Sequence, residues 1–418
     1  MISYKERAGL ITVGFAASTQ ADLPTVDHPY RDETYQAALR VLTLTPFYPT
    51  ASDDAEGCFI AEPLRAMHEL GVNSCVVAVQ PLHHMRAASN AGIPVATWIR
   101  YPSVPGGLGL ASAGAFLYTR LISKIRNLHC SQRIDLIHAH AALPCGHAAM
   151  LLSQELRIPF VVTAHGLDVF FDKQVRGYAG AWCKRVAQSV YRSAARVICI
   201  SHKVADKVAD NAAPRTNTRV IYNSADAQMF SPSPDDFVPD TILSVGNLIP
   251  IKGHELLLRA VAAIIPEYPQ ISCEIIGNGP ELLRLDRLAS NCKIAGNVRF
   301  LGRQSRKQVA DAMRRCVIFA LPSQYEGLGC VYLEAMSAAK PVIACRGQGI
   351  DEIIQHGKSG WLIDPGNLQE LIAALSALLQ NKRLRRRISE SARRTVLENH
   401  TSAHQATQLA AIYRECVA

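Results

Sequence analysis

Nowhere in the 418 residues does an apolar run reach 18 uninterrupted positions, so the sequence offers no segment able to cross a bilayer as a helix. Paired cysteines are also missing. The 12 cysteines include no Cys-x-x-Cys and no spacing suited to a metal. Several (Cys75, Cys199, Cys273, Cys345) fall in apolar strand-like runs. They read as small buried hydrophobes in a reducing compartment, which excludes a disulfide framework. A secretory leader is not evident either: Lys5, Glu6 and Arg7 precede only the short Ala8–Ala17 apolar run, so a cytoplasmic protein is expected. Aromatic residues are few, at 6%. The net charge of +9 is uneven, +2 over residues 1–240 and +7 over residues 241–418. Its densest run is Lys382-Arg-Leu-Arg-Arg-Arg387, with Arg393 and Arg394 beyond it. Such a run suits an anionic membrane surface or a nucleic acid. No aromatic stacking pattern or nucleic-acid motif accompanies it, so it reads as the solvated face of a terminal helix and no nucleic acid is expected as a partner.

What is present in quantity is apolar residue, 49% of the chain, enough for large cores in two to three domains' worth of sequence. Strand-like and helix-like runs alternate nearly throughout. In the first part the strand candidates are Val41–Thr45, Cys75–Val79, Asp135–His138, Phe160–Thr163, Val197–Ile200 and Arg219–Tyr222. In the second they are Ile242–Val245, Cys273–Ile276, Val298–Leu301, Val317–Leu321 and Pro341–Ala344. Most are short, continuously apolar and β-branched, as in central strands of parallel sheets covered by helices. The alternation predicts an α/β, doubly wound fold. Residues 1–39 read as an irregular extension. The Pro- and Asp-rich Ser231–Asp240 reads as a linker between two Rossmann-like halves, 40–230 and 241–380, and 381–418 as terminal helices. In such sheets ligands bind at the carboxyl ends of the strands.

The densest chemistry lies in Pro322-Ser-Gln-Tyr-Glu-Gly-Leu-Gly-Cys-Val-Tyr-Leu-Glu334, followed by Ala-Met-Ser-Ala-Ala-Lys-Pro341. A buried strand ends just before it, and Val331–Ala338 reads as a helix. Gly327 and Gly329 therefore join a strand tip to a helix N-terminus, where free amides and the helix dipole favour phosphate. Glu326 sits at the mouth, and Glu334 lies near two turns into the helix on the same side. One carboxylate could hold a sugar, the amides a diphosphate and the other carboxylate a ribose.

This stretch resembles the E-x7-E signature of retaining glycosyltransferases of family 4, with the GT-B fold: two Rossmann-like doubly wound domains facing across a cleft, with C-terminal helices that cross back to the first domain. The resemblance implies that Glu326 binds sugar hydroxyls, that amides from Gly327, Leu328, Gly329 and Cys330 meet the sugar and β-phosphate, and that Glu334 accepts from the ribose. Ser244-Val-Gly-Asn-Leu-Ile-Pro-Ile-Lys-Gly-His254 resembles the family's donor-phosphate loop. Lys252 matches the lysine that stabilises the leaving diphosphate, while Asn247 stands where an arginine is usual. Arg303 or Arg346 could supply the missing charge. Gly277 and Gly279 match a Gly-x-Gly-Pro turn on the donor side, and Leu301-Gly-Arg303-Gln304 a loop bordering the base. Thr163-Ala-His165-Gly-Leu-Asp168 matches a segment in which His165 faces the transferred sugar and Asp168 orients it or the acceptor. Gly57 is the one glycine of the loop that the family places beside donor and acceptor. Tyr222-Asn-Ser-Ala-Asp226 resembles a hinge motif. Gly347-Gln-Gly-Ile-Asp-Glu352, with Asn247-Leu-Ile-Pro250, resembles a subgroup that builds cell-surface polysaccharides, including teichuronic-acid-type chains.

The resemblance implies a retaining, metal-independent transferase that moves a sugar from a nucleotide diphosphosugar, UDP- rather than GDP-linked, to a hydroxyl of a glycan or polyprenyl-linked glycan. No cofactor is expected. A sugar-nucleotide epimerase on the same fold, or a non-catalytic donor-binding member, are the alternatives. His138 and His140 share a strand face near His147, but no carboxylate or cysteine completes a metal set at a usual spacing. Leu108–Arg126 begins apolar and ends with Arg120, Lys124 and Arg126. It fits a segment lying on an anionic membrane surface, with Phe116 and Leu117 toward the lipid. It fits equally a core helix with an exposed basic end. The glycines at 106, 107, 109 and 114 also suit a flexible acceptor loop.

Overall fold

Residues 38–83, 94–104, 109–166, 175, 177–210, 217–232 and 240–418 are described by a computed structural model. The first 37 residues, Asp168 and most of the 231–240 linker lie outside them. Seven parallel strands form the first sheet: β1 (Leu39–Thr45), β2 (Val72–Pro81), β3 (Ala96–Tyr101), β4 (Leu136–His140), β5 (Phe160–Ala164), β6 (Arg196–Cys199) and β7 (Thr218–Val220). Their order is β3-β2-β1-β4-β5-β6-β7. The second sheet holds β8 (Thr241–Val245), β9 (Ser272–Ile276), β10 (Val298–Gly302), β11 (Ile318–Ala320), β12 (Val342–Cys345) and β13 (Trp361–Ile363), in the order β10-β9-β8-β11-β12-β13. Both are doubly wound. Each has a switch point where the strand order reverses, between β1 and β4 and between β8 and β11, and the loops leaving those strands flank the natural ligand crevice.

The continuous apolar runs became central strands because both faces are covered; every residue of β4 and β5 is buried. Sequence reading missed β3 and β13. β3 is an edge strand in which Thr97 and Arg100 are exposed, so it carries no continuous apolar run. β13 has three residues, too few for a pattern. Cys75 corrects one expectation: it is exposed, unlike the buried Cys199, Cys273 and Cys345.

In the first half the helices are α1 (Cys58–Glu69), α2 (Leu110–Gln132), α3 (His147–Leu156), α4 (Gly177–Ser193) and α5 (His202–Asp210). In the second they are α6 (His254–Ile264), α7 (Leu282–Asn291), α8 (Arg306–Arg315), α9 (Cys330–Ser337) and α10 (Leu368–Gln380), and the chain ends with α11 (Lys382–Asn399) and α12 (Ser402–Val417). α2 corrects the reading of Leu117, which is buried in the core with Ala113 and Leu121, while Phe116 is 47% exposed. Gly106 and Gly107 lie outside the described residues. Gly114 is a packing position in α2, since a Cβ there would come within 2.5 Å of His147 Cβ.

The basic run at the start of α11 is partly spent on structure. Arg385 Nη1 donates to the last carbonyls of α10, Leu378 at 2.6 Å and Leu379 at 2.7 Å, where the helix dipole favours a cation. Arg393 donates to Ser337 O and Arg386 pairs with Glu390. α12 packs on the first half: Leu409, Ala410 and Tyr413 share a core with Ile60, Leu64 and Met67 of α1. Arg414 donates to Leu70 O at 2.8 Å, and Glu415 pairs with Arg196.

Candidate active site

The site forms where the two switch points face each other. From the second half come the loop after β8, which carries Lys252, and the turn after β11, which carries Glu326. Although 74 residues apart, Lys252 Nζ donates to Glu326 Oε1. Both side chains are largely shielded, 18% and 10% exposed, and Ser323 Oγ donates to the same carboxylate oxygen at 3.2 Å. An ion pair at this depth persists only because added hydrogen bonds offset the desolvation of both charges. The backbone N–H of Glu326 donates to Gln348 Oε1 at 3.0 Å, and Lys203 Nζ from the first half donates to that oxygen at 2.8 Å.

Beyond Glu326 the chain turns at Gly327 and enters α9 through Gly329, with no side chain capping the helix N-terminus. Those first amides remain available to an anion. Leu328 is fully buried, so its side chain belongs to the core and not to the crevice. Gly327 must lack a side chain: a Cβ there would lie 2.8 Å from His165 O and 3.4 Å from Gly166 Cα. Gly277 and Gly279 are set by backbone approach to the Lys252 loop, where Cβ atoms would come within 1.9 Å of Gly246 O and 2.3 Å of Leu248 O. Asn247, in that loop, is exposed. Neither arginine considered as its substitute is uncommitted. Arg303 pairs with Asp53, and Arg346 pairs with Asp364 and Glu370 at 3.0 Å each.

From the first half, His165 stands at the tip of β5, its Nε2 3.0 Å from Nδ1 of His140. Its ring lies 5.1 Å from that of Phe59. His138 is held on both sides, Nδ1 by Tyr413 OH at 2.6 Å and Nε2 by Thr163 Oγ1 at 2.7 Å. Burial pulls His138 and His165 down to about 3 and His140 in the same direction, so all three are neutral near pH 7. The histidines are thus joined to one another and to α12. Among the described residues, no group of three or more His, Cys, Asp or Glu is placed to hold a metal ion. Gly57 caps α1 next to Phe47. Asp168 lies outside the described residues.

The structure brings Glu326, Lys252, Gly327, Gly329 and His165 together. It gives Glu334 a different company from the one expected. That carboxylate is 6% exposed and accepts from Arg306 Nη1 at 2.5 Å. Arg306 also donates to Glu62 of the first half. Burial raises the Glu62 carboxyl to about 7 against the pull of Arg306. Several contributors escaped the sequence reading. Ser201 Oγ donates to Gly327 O at 2.6 Å, and Glu352 accepts from the first amides of α5, His202 and Lys203, at 2.8 Å each. Asn223 Nδ2 reaches Cys330 Sγ at 3.4 Å. Each contact joins the two halves, so no local spacing announces it. Asn223 and Glu352 did fall inside quoted motifs, Tyr222–Asp226 and Gly347–Glu352, whereas Ser201 and Arg306 lay outside every motif.

Comparison with known proteins supplies the context for this geometry. Residues 232–395 match the family described as Glycosyl transferases group 1, and residues 59–228 match Glycosyltransferase Family 4. An uncharacterized glycosyltransferase of Methanocaldococcus jannaschii is 30% identical over 266 residues, covering 64% of this chain and 71% of that protein. The N-acetyl-alpha-D-glucosaminyl L-malate synthase of Bacillus anthracis is 27% identical over 304 residues, 70% of this chain and 78% of that one. Among solved structures, HepE of Anabaena in complex with UDP superposes with a TM-score of 0.71 at 20% identity, covering 90% of this chain and 100% of that one.

Proposed function

We propose that this chain, which belongs to the group 1, family 4 glycosyltransferases of the GT-B fold, is a retaining enzyme that moves a sugar from a UDP-sugar to a hydroxyl of a glycan or polyprenyl-linked glycan. One observation carries the reading: the Lys252–Glu326 pair lies at the switch point of the second sheet, beside the open N-terminus of α9, and Gly327, next to Glu326, packs on the His165 carbonyl. That arrangement suits a nucleotide diphosphosugar. The α9 amides and Lys252 would receive the diphosphate, Glu326 the sugar hydroxyls and Glu334 the ribose. The UDP complex of the structurally similar Anabaena protein favours UDP as the nucleotide. Malate and inositol phosphate, in the names of two relatives, indicate that acceptors in the family vary.

In the proposed mechanism the acceptor oxygen attacks the anomeric carbon on the face from which the diphosphate leaves. The bond from that carbon to the phosphate oxygen breaks, the bond to the acceptor oxygen forms, and the acceptor proton passes to the departing phosphate oxygen. Lys252 and the helix dipole stabilise the charge that develops there, so no metal is needed. Neutral His165 holds a sugar hydroxyl by hydrogen bonding and does not act as a charged acid. The Gly347–Glu352 loop supports surface polysaccharide synthesis as the setting. Peripheral attachment to a membrane is supported by α2, which has no acidic residue and exposes Phe116, Arg120 and Lys124 along one stripe. No helix among the described residues is long and apolar enough to cross a membrane.

The test is a panel of UDP- and GDP-sugars scored by nucleotide release, with and without EDTA, and NMR assignment of the product anomer. A product of inverted configuration, or zinc lost together with activity, would overturn the mechanism. Conversion of donor alone to an epimer would favour the epimerase.

A further inference from the structure

Arg306 stands at the first position of α8, where the helix dipole disfavours a cation, and yet it is 6% exposed. Four elements hold it there. Nη1 donates to Glu334 Oε1 at 2.5 Å, and Nη2 donates to Glu62 Oε1 of α1. The backbone N–H donates to Asp54 Oδ1 at 3.0 Å, and the guanidinium lies 4.8 Å from the ring centroid of Phe230. Glu62, Asp54 and Phe230 belong to the first half and Glu334 to the second. Beside it, Arg303 pairs with Asp53, also of the first half.

We propose that Arg306 is a positioning residue of the nucleotide site: it orients the Glu334 carboxylate for the ribose and ties it to Glu62 across the cleft, so that nucleotide recognition and the approach of the two halves depend on one guanidinium. The inference rests on the donor reading above. A buried carboxylate that loses its cationic partner turns toward another donor, which spoils it as an acceptor for ribose hydroxyls. With Arg306 on one oxygen, the Glu334 carboxylate is fixed in rotation, and its second oxygen can accept from the ribose. The guanidinium's planar fork serves two carboxylates at once, which a lysine's point charge does not.

The experiment measures UDP and GDP affinity by titration calorimetry on the full chain, for wild type, R306M, R306K, E334Q and the double variant R306M/E334Q. R306M weakens UDP binding by on the order of tenfold, the scale of one charge-assisted hydrogen bond. R306K recovers part of that loss. Because Arg306 acts through Glu334, the double variant binds UDP no more weakly than E334Q alone. In steady-state assays R306K raises the KM for the donor more than it lowers kcat. If R306M does not fold, R306K and E334Q carry the comparison. Unchanged UDP affinity in R306M or R306K removes the inference, and so do additive losses in the double variant. A wild-type chain that binds neither UDP nor GDP removes the donor reading, and this inference with it.

Discussion

The Lys252 ammonium and the Glu326 carboxylate are paired across the crevice between the loops leaving β8 and β11. The cation proposed for the leaving group and the carboxylate proposed for the sugar thus stabilise each other. Removing either leaves the other shielded and unmatched, so each change acts on both tasks. Glu326→Gln lowers kcat by about 10²-fold or more, and Lys252→Ala nearly abolishes transfer. Nucleotide release with the true acceptor measures both, and wild-type turnover in either variant would refute the site.

Asn247 is exposed in the donor loop, and the arginines considered as its substitutes, Arg303 and Arg346, are already paired. In the proposed donor site an added cation at this exposed position lies beside the diphosphate. Asn247→Arg leaves kcat unchanged or raises it. A loss of about tenfold or more, the scale of a missing charged contact, would place Asn247 outside the phosphate site.

The histidine cluster predicts sensitivity to acid. His138 and His165 fall from 6.5 to about 3 on folding because burial penalises their charged forms. Below about 6.5 the unfolded chain binds more protons than the folded one, so their contribution is full above that pH and is lost as pH falls toward about 3. Urea midpoints taken at pH values on either side of 6.5 measure it, with the lower midpoint on the acid side. His138→Gln makes the midpoint less dependent on pH. Identical dependence in wild type and variant would show that the cluster is not what titrates.

Glu62 works in the opposite sense. Burial, opposed by Arg306 and reinforced by Glu334 and Asp226, raises its carboxyl from 4.5 to about 7. Its contribution is fully present below 4.5 and is lost as pH rises through about 7. The stability of wild type relative to Glu62→Gln therefore shrinks between those values, as read from paired urea titrations. A difference that grows with pH would reverse the assignment.

Attachment to membranes is tested by flotation with anionic vesicles. Binding at low salt falls as salt is added and falls again for Phe116→Asp, whose side chain is 47% exposed. Leu117 is not a useful probe, because it lies in the core. Absence of binding at low salt, with good transfer to a water-soluble acceptor, would remove the membrane from the proposal and leave the transferase in place.

The sequence by itself determined the doubly wound fold, because central parallel strands buried on both faces leave continuous apolar runs such as Phe160–Thr163 and Ile242–Val245. It also marked Glu326, Gly327, Gly329 and Lys252, because the turn proposed to bind phosphate is a local object, a strand tip and a helix N-terminus joined by glycine. Edge and very short strands such as β3 and β13 left no such trace. Tertiary structure decided which groups stand opposite one another. Arg306 reaches Glu62 across 244 positions and Ser201 reaches Gly327 across 126. Nothing in the neighbourhood of either residue in the sequence encodes the other. It also decided which way each side chain of α2 points, sending Leu117 inward and Phe116 outward. The first two turns alone could not make that choice, since residues 110–118 carry apolar side chains nearly all round the helix, and packing against α3 and the first sheet selects the face that is buried.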